Sequence, residues 1–507
     1  MIESLGLRTV RRWRWVGLAL WMAAPLAMLS APDVASAQDA PKSDTGAGAN
    51  APQTPEPEAV EPEEEGPTFG TIEVFKDPRA EAALEIYENV PSLRDCRISD
   101  VNDVRRMATG DVAPDRATIQ RFVDGMAYRF LDKGNINGMI SPPPGLSPNS
   151  SSIKAIKEAT GYLLDALNVA KQAKARGAQF LTVFNRALLE TFPKLLDKHL
   201  VTRVQVMIVL GQAGDPNAVP LFISQLKDPD QTVWVKIWAA RGLYNVVDGG
   251  SRVDATLSVQ RASEAAKALA EFLGSESDIP WPVKMRVAQA IGALRQAAVP
   301  TNIREVEIAN ATMALLANTK DRPEVRAAAA WALGMLRVNP VVDKYNYPLI
   351  AHATGSLTVE IAEAINASYG GQPTQALDQA RAEYFAGLIV GPIYQSFFGL
   401  EGVRETGLLR ASPGHPNFSA NQQVLREIGD LVSSVAKASV ELVRSPPGLI
   451  DARKKDLSDR TAALKAALAK SPPKDYHLVP DGPDFSPEGA KSVAATANSP
   501  TGASVGR

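Results

Sequence analysis

The fold is decided by a helical pattern that is clearest in residues 321–334, which read DRPEVRAAAAWALG. Arg326, Ala330 and Leu333 are spaced four and three residues apart, so they share one side of a helix. The same pattern occurs four times in the chain and predicts four equivalent helices. The aligned basic residues are Arg203, Lys236, Lys284 and Arg326, and the aligned aliphatic residues are Leu210, Leu243, Ile291 and Leu333.

The spacing of these helices indicates a repeat of helical hairpins. The basic positions are 33, 48 and 42 residues apart, and such periods are typical of one hairpin per repeat. A partner helix is predicted after Asp215, because Asp is a good helix cap and Pro216 is tolerated in a first turn. Its apolar stripe is Val219, Phe222, Ile223 and Leu226, and Asp228-Pro229 ends it. The next helix is predicted from Val233 to Val247, and neighbouring hairpins must stack to bury their apolar faces.

An acidic residue precedes each aligned basic residue by five or six positions. A separation of seven residues places each basic residue about 20° from the aligned aliphatic residue, so it leans towards the packed side of its helix. We therefore interpret these residues as structural pairs, and a basic binding stripe is the alternative. The predicted pairs are Asp197/Arg203, Asp230/Lys236, Asp278/Lys284 and Asp321/Arg326.

The segment from Asp321 to Gly334, with its three equivalents, resembles the second helix of HEAT repeats. The resemblance covers residues 197–337 and implies an all-α fold, an α-solenoid of stacked helical hairpins. It also implies a ladder of hydrogen bonds between adjacent repeats and a concave surface lined by the second helices. Residues 69–196 and 338–470 are helical by pattern and are interpreted as divergent repeats or caps. Tetratricopeptide repeats fit one spacing, but their Trp/Gly/Tyr pattern is absent.

The two ends of the chain differ in composition from this body. Residues 1–37 combine four arginines, an apolar run over residues 16–31 and the sequence Ala35-Ser36-Ala37, an order typical of a signal peptide. We therefore expect an exported protein, in the periplasm or outside the cell; the alternative is a membrane anchor through residues 16–31. Residues 38–68 carry a net charge of −7 among Pro and Glu and predict a disordered linker. Residues 471–507 predict a disordered tail.

Catalytic and metal sites find little support in the sequence. Cys96 is the single cysteine, and none of the four histidines has a ligand spacing typical of zinc. We predict no catalytic residue, no metal and no cofactor. Ser412 and His415 lie close together but are interpreted as turn residues. The apolar stretch Tyr384 to Leu400 is interpreted as a buried helix or cap, with a membrane helix or an exposed docking patch as alternatives.

These features favour a scaffold that binds another protein. The body from Phe69 onward has a net charge of only +3, which argues against a nucleic-acid groove. The alternatives are an enzyme or enzyme subunit with a site in the non-repeat C-terminal flank, near residues 399–419, and a membrane-tethered structural component of the envelope. A membrane partner is expected only if the N-terminal segment is uncleaved.

Three tryptophans are the candidate partner-binding residues. Trp234, Trp238 and Trp331 lie on the predicted second helices, about 140° to 180° from the aligned Leu243 or Leu333 at 100° per residue. In a HEAT-like solenoid they would project into the concave surface, where tryptophan is a frequent hot spot. The alternative is that they fill gaps between repeats. Trp281 precedes Pro282 in a predicted turn and is not included.

The export signal gives the first testable prediction. If it is cleaved after Ala37, N-terminal sequencing of the exported protein begins at or near Gln38. Recovery of a chain with an intact Met1 in the membrane pellet would contradict cleavage and favour the anchor.

Overall fold

The computed structural model describes residues 98–140, 151–248, 257–275, 278–342, 344–369, 376–410 and 415–486. The chain divides into two compact units, Met1–Phe75 and Lys76–Arg507, and the described residues all belong to the second. The predicted signal peptide, the predicted linker, Cys96 and Ser412 lie outside the described residues. The described part is all-helical, as predicted, and contains no β-strand.

Seventeen α-helices follow one another in the described residues. They are α1 (Ile98–Thr109), α2 (Arg116–Leu131), α3 (Lys133–Ile140), α4 (Ser151–Gln172), α5 (Ala178–Thr191), α6 (Leu200–Ala213), α7 (Val219–Lys227), α8 (Val233–Asp248), α9 (Val259–Ser275), α10 (Trp281–Leu294), α11 (Glu307–Ala317), α12 (Pro323–Met335), α13 (Tyr347–Ser368), α14 (Ala376–Leu388), α15 (Tyr394–Phe398), α16 (Pro416–Val443) and α17 (Ile450–Lys470). A π-helical turn, Ile389–Ile393, joins α14 to α15.

The helix starts follow the local sequence signals. The Asp215 carboxylate accepts a hydrogen bond from the Asn217 backbone N–H at 2.7 Å, so it caps the turn at Pro216 that leads into α7. The predicted helix from Val233 to Val247 is α8, one residue longer at its end. The π-helical turn contains Pro392, which has no N–H to donate to the preceding turn.

Consecutive helices pair as hairpins and the hairpins lie side by side. The pairs are α7 with α8, α9 with α10, α11 with α12, and α13 with α14. The first helices α7, α9, α11 and α13 contact one another in order, and we call them the first-helix row. The second helices α6, α8, α10 and α12 likewise contact one another in order and form the second-helix row. At its end, α12 contacts the π-helical turn and α15, which therefore occupy the next position in this row.

Glycine permits close contact along the second-helix row. A Cβ added to Gly292 of α10 would lie 2.8 Å from the Ala332 Cα of α12. A Cβ added to Gly334 of α12 would lie 2.4 Å from the Ser396 carbonyl oxygen of α15. Both glycines directly follow an aligned aliphatic residue, Ile291 or Leu333. The backbones of neighbouring second helices therefore approach each other closely at Gly292 and again at Gly334, which occupy equivalent positions in α10 and α12.

The charged pairs differ from the predicted ones. Lys284 bonds to Asp321 of the next hairpin, with Nζ and Oδ1 2.8 Å apart. Arg326 pairs with Glu360 of α13, and Arg203 donates to the Gln231 side chain at 2.7 Å. The basic side chains thus reach forward to the following hairpin.

None of the four pairs predicted within a single unit forms. Asp197 contacts Lys198 instead, while Asp230 and Asp278 are exposed. Lys236 lies 5.4 Å from the centre of the Phe272 ring in α9. The prediction was wrong because it paired each basic residue with the acidic residue that precedes it closely in the sequence. In the structure, the basic side chains extend across the contact between hairpins.

The C-terminal flank encloses the end of the first-helix row. Helices α16 and α17 pack against each other and against α13. The chain then continues in contact with the body: the Asn346 side chain donates to the Asp475 carbonyl at 2.9 Å, and Leu478 is fully buried. Val479 and Phe485 are buried as well. The predicted disorder was therefore wrong for residues 471–486, because the Pro-, Gly- and Ser-rich composition masked these apolar side chains.

The contact between Lys284 and Asp321 gives a prediction for stability. Lys284→Ala and Asp321→Ala should each lower the free energy of unfolding by about 1–3 kcal/mol, because each removes the ion-pair partner of a largely buried charge. The double variant should lose markedly less than the sum, as measured by urea denaturation. Asp278→Ala is the control, and its exposed carboxylate should change stability by less than about 0.5 kcal/mol. Strict additivity of the two changes, or an equal loss in the control, would contradict the forward pairing.

Candidate protein-binding face

One side of the second helices combines aromatic rings with arginine. Positions four and three residues apart share a side of a helix, and this rule defines a set that we call the shared face. It consists of Trp234, Trp238 and Arg241 on α8, Pro282, Arg286 and Gln289 on α10, and Glu324, Ala328 and Trp331 on α12. Aromatic residues and arginine are enriched at protein interfaces, so this composition fits a binding surface.

Side chains of α8 and α12 meet above α10. The ring centres of Tyr244 and Trp331 are 6.2 Å apart, although α10 lies between their helices. The Trp331 ring occupies the space above Gly292, where an added Cβ would come within 2.5 Å of it. Aromatic side chains of two second helices that are not neighbours in the row therefore contact each other across α10.

The C-terminal flank covers the part of the shared face on α12. The Trp331 indole N–H donates to the Gln395 side chain of α15 at 3.0 Å. The Tyr384 hydroxyl of α14 donates to the Glu324 carboxylate at 3.1 Å. The apolar side of the stretch from 384 to 400 is buried, with Ile389, Ile393 and Phe397 in the core, as the buried-helix interpretation predicted.

This cover changes the assignment of the tryptophans. Trp331 is only 7% exposed, so the prediction that its ring is available to a partner was wrong. The helical wheel gave the right direction for the Trp331 side chain, away from Leu333. It could not show that α15, one hairpin further along the chain, covers this side of α12. Trp234 and Trp238 are half-buried and pack against the core with part of each ring in solvent.

The other end of the second-helix row is covered by the N-terminal flank. The Thr160 hydroxyl of α4 donates to the Gln205 side chain of α6 at 2.6 Å. Gln205 occupies on α6 the position that Trp238 occupies on α8. Within the part of the chain that the structure describes, these flanks leave uncovered the surface of α8 and α10, between α4 on one side and α14 with α15 on the other. We call this surface the open part of the shared face.

The arginines of this surface lie against aromatic rings and other polar groups. The Arg241 guanidinium is 4.8 Å from the centre of the Tyr244 ring. Arg286 is buried and donates to the Gln289 side-chain oxygen at 2.8 Å. Burial and the nearby charge of Arg241 lower the pKa of Arg286 to about 10, so it remains charged at neutral pH.

The one acidic group of the shared face is enclosed. Glu324 is 3% exposed and accepts hydrogen bonds from two nitrogens of Arg322, at 2.9 and 3.2 Å. Arg322 in turn lies over the Trp281 ring, 4.4 Å from its centre. Burial and the Glu324 carboxylate raise the pKa of the Tyr384 hydroxyl, which keeps it protonated as the donor to that carboxylate.

Charge is divided unequally between the two helix rows. The second-helix row carries six basic and two acidic side chains, and the first-helix row carries three basic and five acidic ones. The basic residues of the second-helix row are Arg203, Lys236, Arg241, Lys284, Arg286 and Arg326. This asymmetry was available in the sequence but depends on knowing which helices share a row.

The remaining sequence candidates do not form a second site. His415 is fully buried, and its ring centre lies 5.3 Å from that of Tyr347, so solvent and substrate do not reach it. Within the described residues, no group of three His, Cys, Asp or Glu side chains is placed to hold a metal ion. Among the described helices, none combines the length and the apolar character needed to span a bilayer.

Comparison of the chain with protein-family models, with curated proteins and with solved structures gives no match in any of the three.

The different burial of the tryptophans gives a prediction. Trp331→Ala should lower the free energy of unfolding by about 3–5 kcal/mol, because it empties a packed site between α8, α10 and α15. Trp234→Ala removes a partly exposed ring and should cost less than half of that amount. Guanidinium chloride denaturation followed by circular dichroism at 222 nm measures the free energy of unfolding of both variants. Equal losses for the two variants would contradict the structural difference between these positions.

Proposed function

We propose that this protein is an exported scaffold, a HEAT-like α-solenoid that binds another protein through the open part of the shared face. The observation that carries the proposal is the group of half-buried Trp234, Trp238, Arg241 and Tyr244 on α8, beside Arg286 on α10. Truncation of Trp, Tyr or Arg in such a setting often costs about 2 kcal/mol of binding free energy or more.

The arrangement of the helices supports the solenoid part of the proposal. Each hairpin contacts the next through both rows, and the ionic contacts run from one hairpin to the following one. Such nearest-neighbour contacts are typical of repeat proteins, which build extended binding surfaces from stacked units. Export rests on the order of features in residues 1–37.

The loop at residues 399–410 lies in the stretch that was the alternative location for an enzyme site. Its contacts support a structural role instead. The Gly407 backbone N–H donates to the Gly334 carbonyl at 2.7 Å, and the Leu408 N–H donates to the Ser396 carbonyl at 2.8 Å. Arg295 donates to the carbonyl oxygens of Arg404 and Glu405 at 2.8 and 2.7 Å. Through these contacts the loop packs against the ends of α10, α12 and α15, at the end of the second-helix row.

The test is quantitative capture of a partner by variants of the full chain. The tagged protein is cross-linked in the envelope fraction of its host, and co-purified proteins are identified by mass spectrometry. A double variant, Trp234→Ala with Trp238→Ala, should reduce recovery of the specific partner at least tenfold while the helical circular dichroism is retained. The control is Val259→Ala, which removes a 68% exposed side chain from α9 in the first-helix row.

Equal recovery by the double variant and the wild type would refute binding through the shared face. A comparable loss in the control would mean that the partner binds the first-helix row instead.

A further inference from the structure

The chain beyond α17 folds back onto the first-helix row. Residues 475–486 follow α17 through the short connection of residues 471–474, and we call residues 475–486 the C-terminal strap. Leu478 of the strap is fully buried, and Val479 and Phe485 are buried as well. The strap therefore contributes apolar side chains to the core although it is not helical.

Asn346, which directly precedes α13, holds the strap by its main chain. The side-chain nitrogen of Asn346 donates to the carbonyl oxygens of Asp475 and His477, at 2.9 and 3.1 Å. The backbone N–H of Asn346 donates to the Leu478 carbonyl oxygen at 2.9 Å. All three acceptors are main-chain oxygens, so these bonds do not depend on the side chains of the strap. Main-chain bonds of this kind supply affinity for a peptide, and pockets for its apolar side chains supply specificity.

The orientation of the Asn346 amide is fixed by the start of α13. Its side-chain oxygen accepts a hydrogen bond from the Leu349 backbone N–H at 3.1 Å and so caps the helix. With the oxygen engaged there, the amide nitrogen is turned to the strap. Formation of α13 therefore prepares Asn346 to bind a peptide.

The strap also reaches α11, the preceding helix of the first-helix row. A Cβ added to Gly482 would lie 3.6 Å from the side-chain oxygen of Asn310 on α11. This oxygen is buried and has no hydrogen-bond partner among the described residues. The strap thus extends from Asn346 to Asn310, and we call the surface at these two residues the strap site.

Two hydrogen bonds within the strap give it a shape of its own. The Gly482 N–H donates to the Val479 carbonyl at 2.9 Å, across a turn with Pro480 in its second position, as type I turns favour. The Phe485 N–H donates to the Tyr476 carbonyl at 2.9 Å. Release from Asn346 breaks neither bond. A segment that keeps its bound shape loses less conformational entropy when it binds again.

We propose that the strap site binds the C-terminal strap of a second copy of this chain when its own strap is released. Each copy carries both the strap and the site that fits it. Exchange of an identical segment between copies is a low-cost route to a dimer, because every contact of the segment is formed again. The connection contains Pro472 and Pro473, and prolines favour an extended spacer that can direct the strap towards another copy.

This inference goes beyond the scaffold function and is independent of it. The strap site belongs to α11 and α13 of the first-helix row, whereas the shared face belongs to the second-helix row. A short tether holds a segment near its own site at an effective concentration of about 1 mM. The strap of the same copy therefore occupies the site at lower protein concentrations, and a test of exchange must first release it.

Binding of the strap as a peptide tests the site. The probe is a fluorescein-labelled peptide of residues 474–486, followed by fluorescence anisotropy. The host is the full chain with Leu478→Asp, which places a charge at a fully buried position of the strap and should release it. This variant should bind the peptide saturably and at least tenfold more tightly than the wild type, whose site is occupied. The same peptide with Leu478→Asp should show no saturable binding.

The matched variants change one asparagine in the Leu478→Asp chain. Asn346→Asp keeps an oxygen that caps α13 but has no side-chain hydrogen to donate, so it should weaken peptide binding about tenfold or more. The control is Asn339→Asp, since Asn339 is exposed and its side-chain oxygen accepts from the Val341 N–H. This control should change the affinity less than twofold.

Mixing two full-chain variants tests the second copy as the occupant. Leu478→Asp supplies an empty site with a defective strap, and Asn346→Asp supplies an intact strap with a weakened site. Analytical ultracentrifugation should show more dimer in the equal mixture than in either variant alone. Val479→Asp is prepared as a second strap variant, and each chain is used only after circular dichroism shows the helical content of the wild type.

The inference would be overturned if folded Leu478→Asp and Val479→Asp chains failed to bind the peptide. Equal peptide affinity with and without Asn346→Asp would overturn it as well, because the strap would then be held without the Asn346 side chain. A mixture with no more dimer than its separate components would exclude the second copy. None of these results bears on partner capture through Trp234 and Trp238, so the scaffold proposal stands or fails separately.

Discussion

The close approach of the second helices at glycine is the constraint on which the rest of the structure depends. At Gly334, a single added carbon would lie 2.4 Å from a backbone oxygen of α15, and at Gly292 it would lie 2.5 Å from the Trp331 ring. Neither contact can relax through a flexible side-chain end, since backbone or an aromatic ring stands opposite. The helices of this row are therefore held close enough for Tyr244 and Trp331 to touch across α10. That contact lies beside Gly292, whose missing side chain leaves room for the Trp331 ring.

The ionic contacts complement this packing. Lys284, Arg326 and Arg203 each reach forward from a second helix to the polar group of the next hairpin. Apolar packing alone would tolerate a small slide of one hairpin along another, because dispersion and hydrophobic contacts have little direction. A hydrogen-bonded pair at the start of each helix fixes that register. The positions of the shared-face residues relative to one another therefore depend on contacts made at the starts of the same helices.

Local signals allowed much of this fold to be predicted. Short-range sequence patterns predict the cap at Asp215, the helix at residues 233–247 and the four aligned helices. These patterns do not depend on residues far away in the sequence. The failures all involve contacts between segments far apart in sequence. Trp331 is covered by Gln395 of α15, Lys284 pairs with Asp321 rather than Asp278, and the segment at Leu478 packs beside Asn346. A helical wheel gives the direction of a side chain but not the segment that lies opposite it.

The same reasoning explains why part of the candidate site was visible in the sequence and part was not. Trp234 and Trp238 stood out because tryptophan is rare and both face away from the packed leucine. Arg241 and Arg286 did not, because they occupy different positions relative to the aligned basic residues and look like ordinary surface charge until α8 and α10 are placed side by side. With α8 and α10 side by side, Arg241 and Arg286 can be distinguished from the basic residues that bond to the next hairpin. The basic residues of the second helices thus fall into two groups by their contacts. Lys284, Arg326 and Arg203 bond to polar groups of the next hairpin, whereas Arg241 lies against the Tyr244 ring and Arg286 is buried beside Gln289.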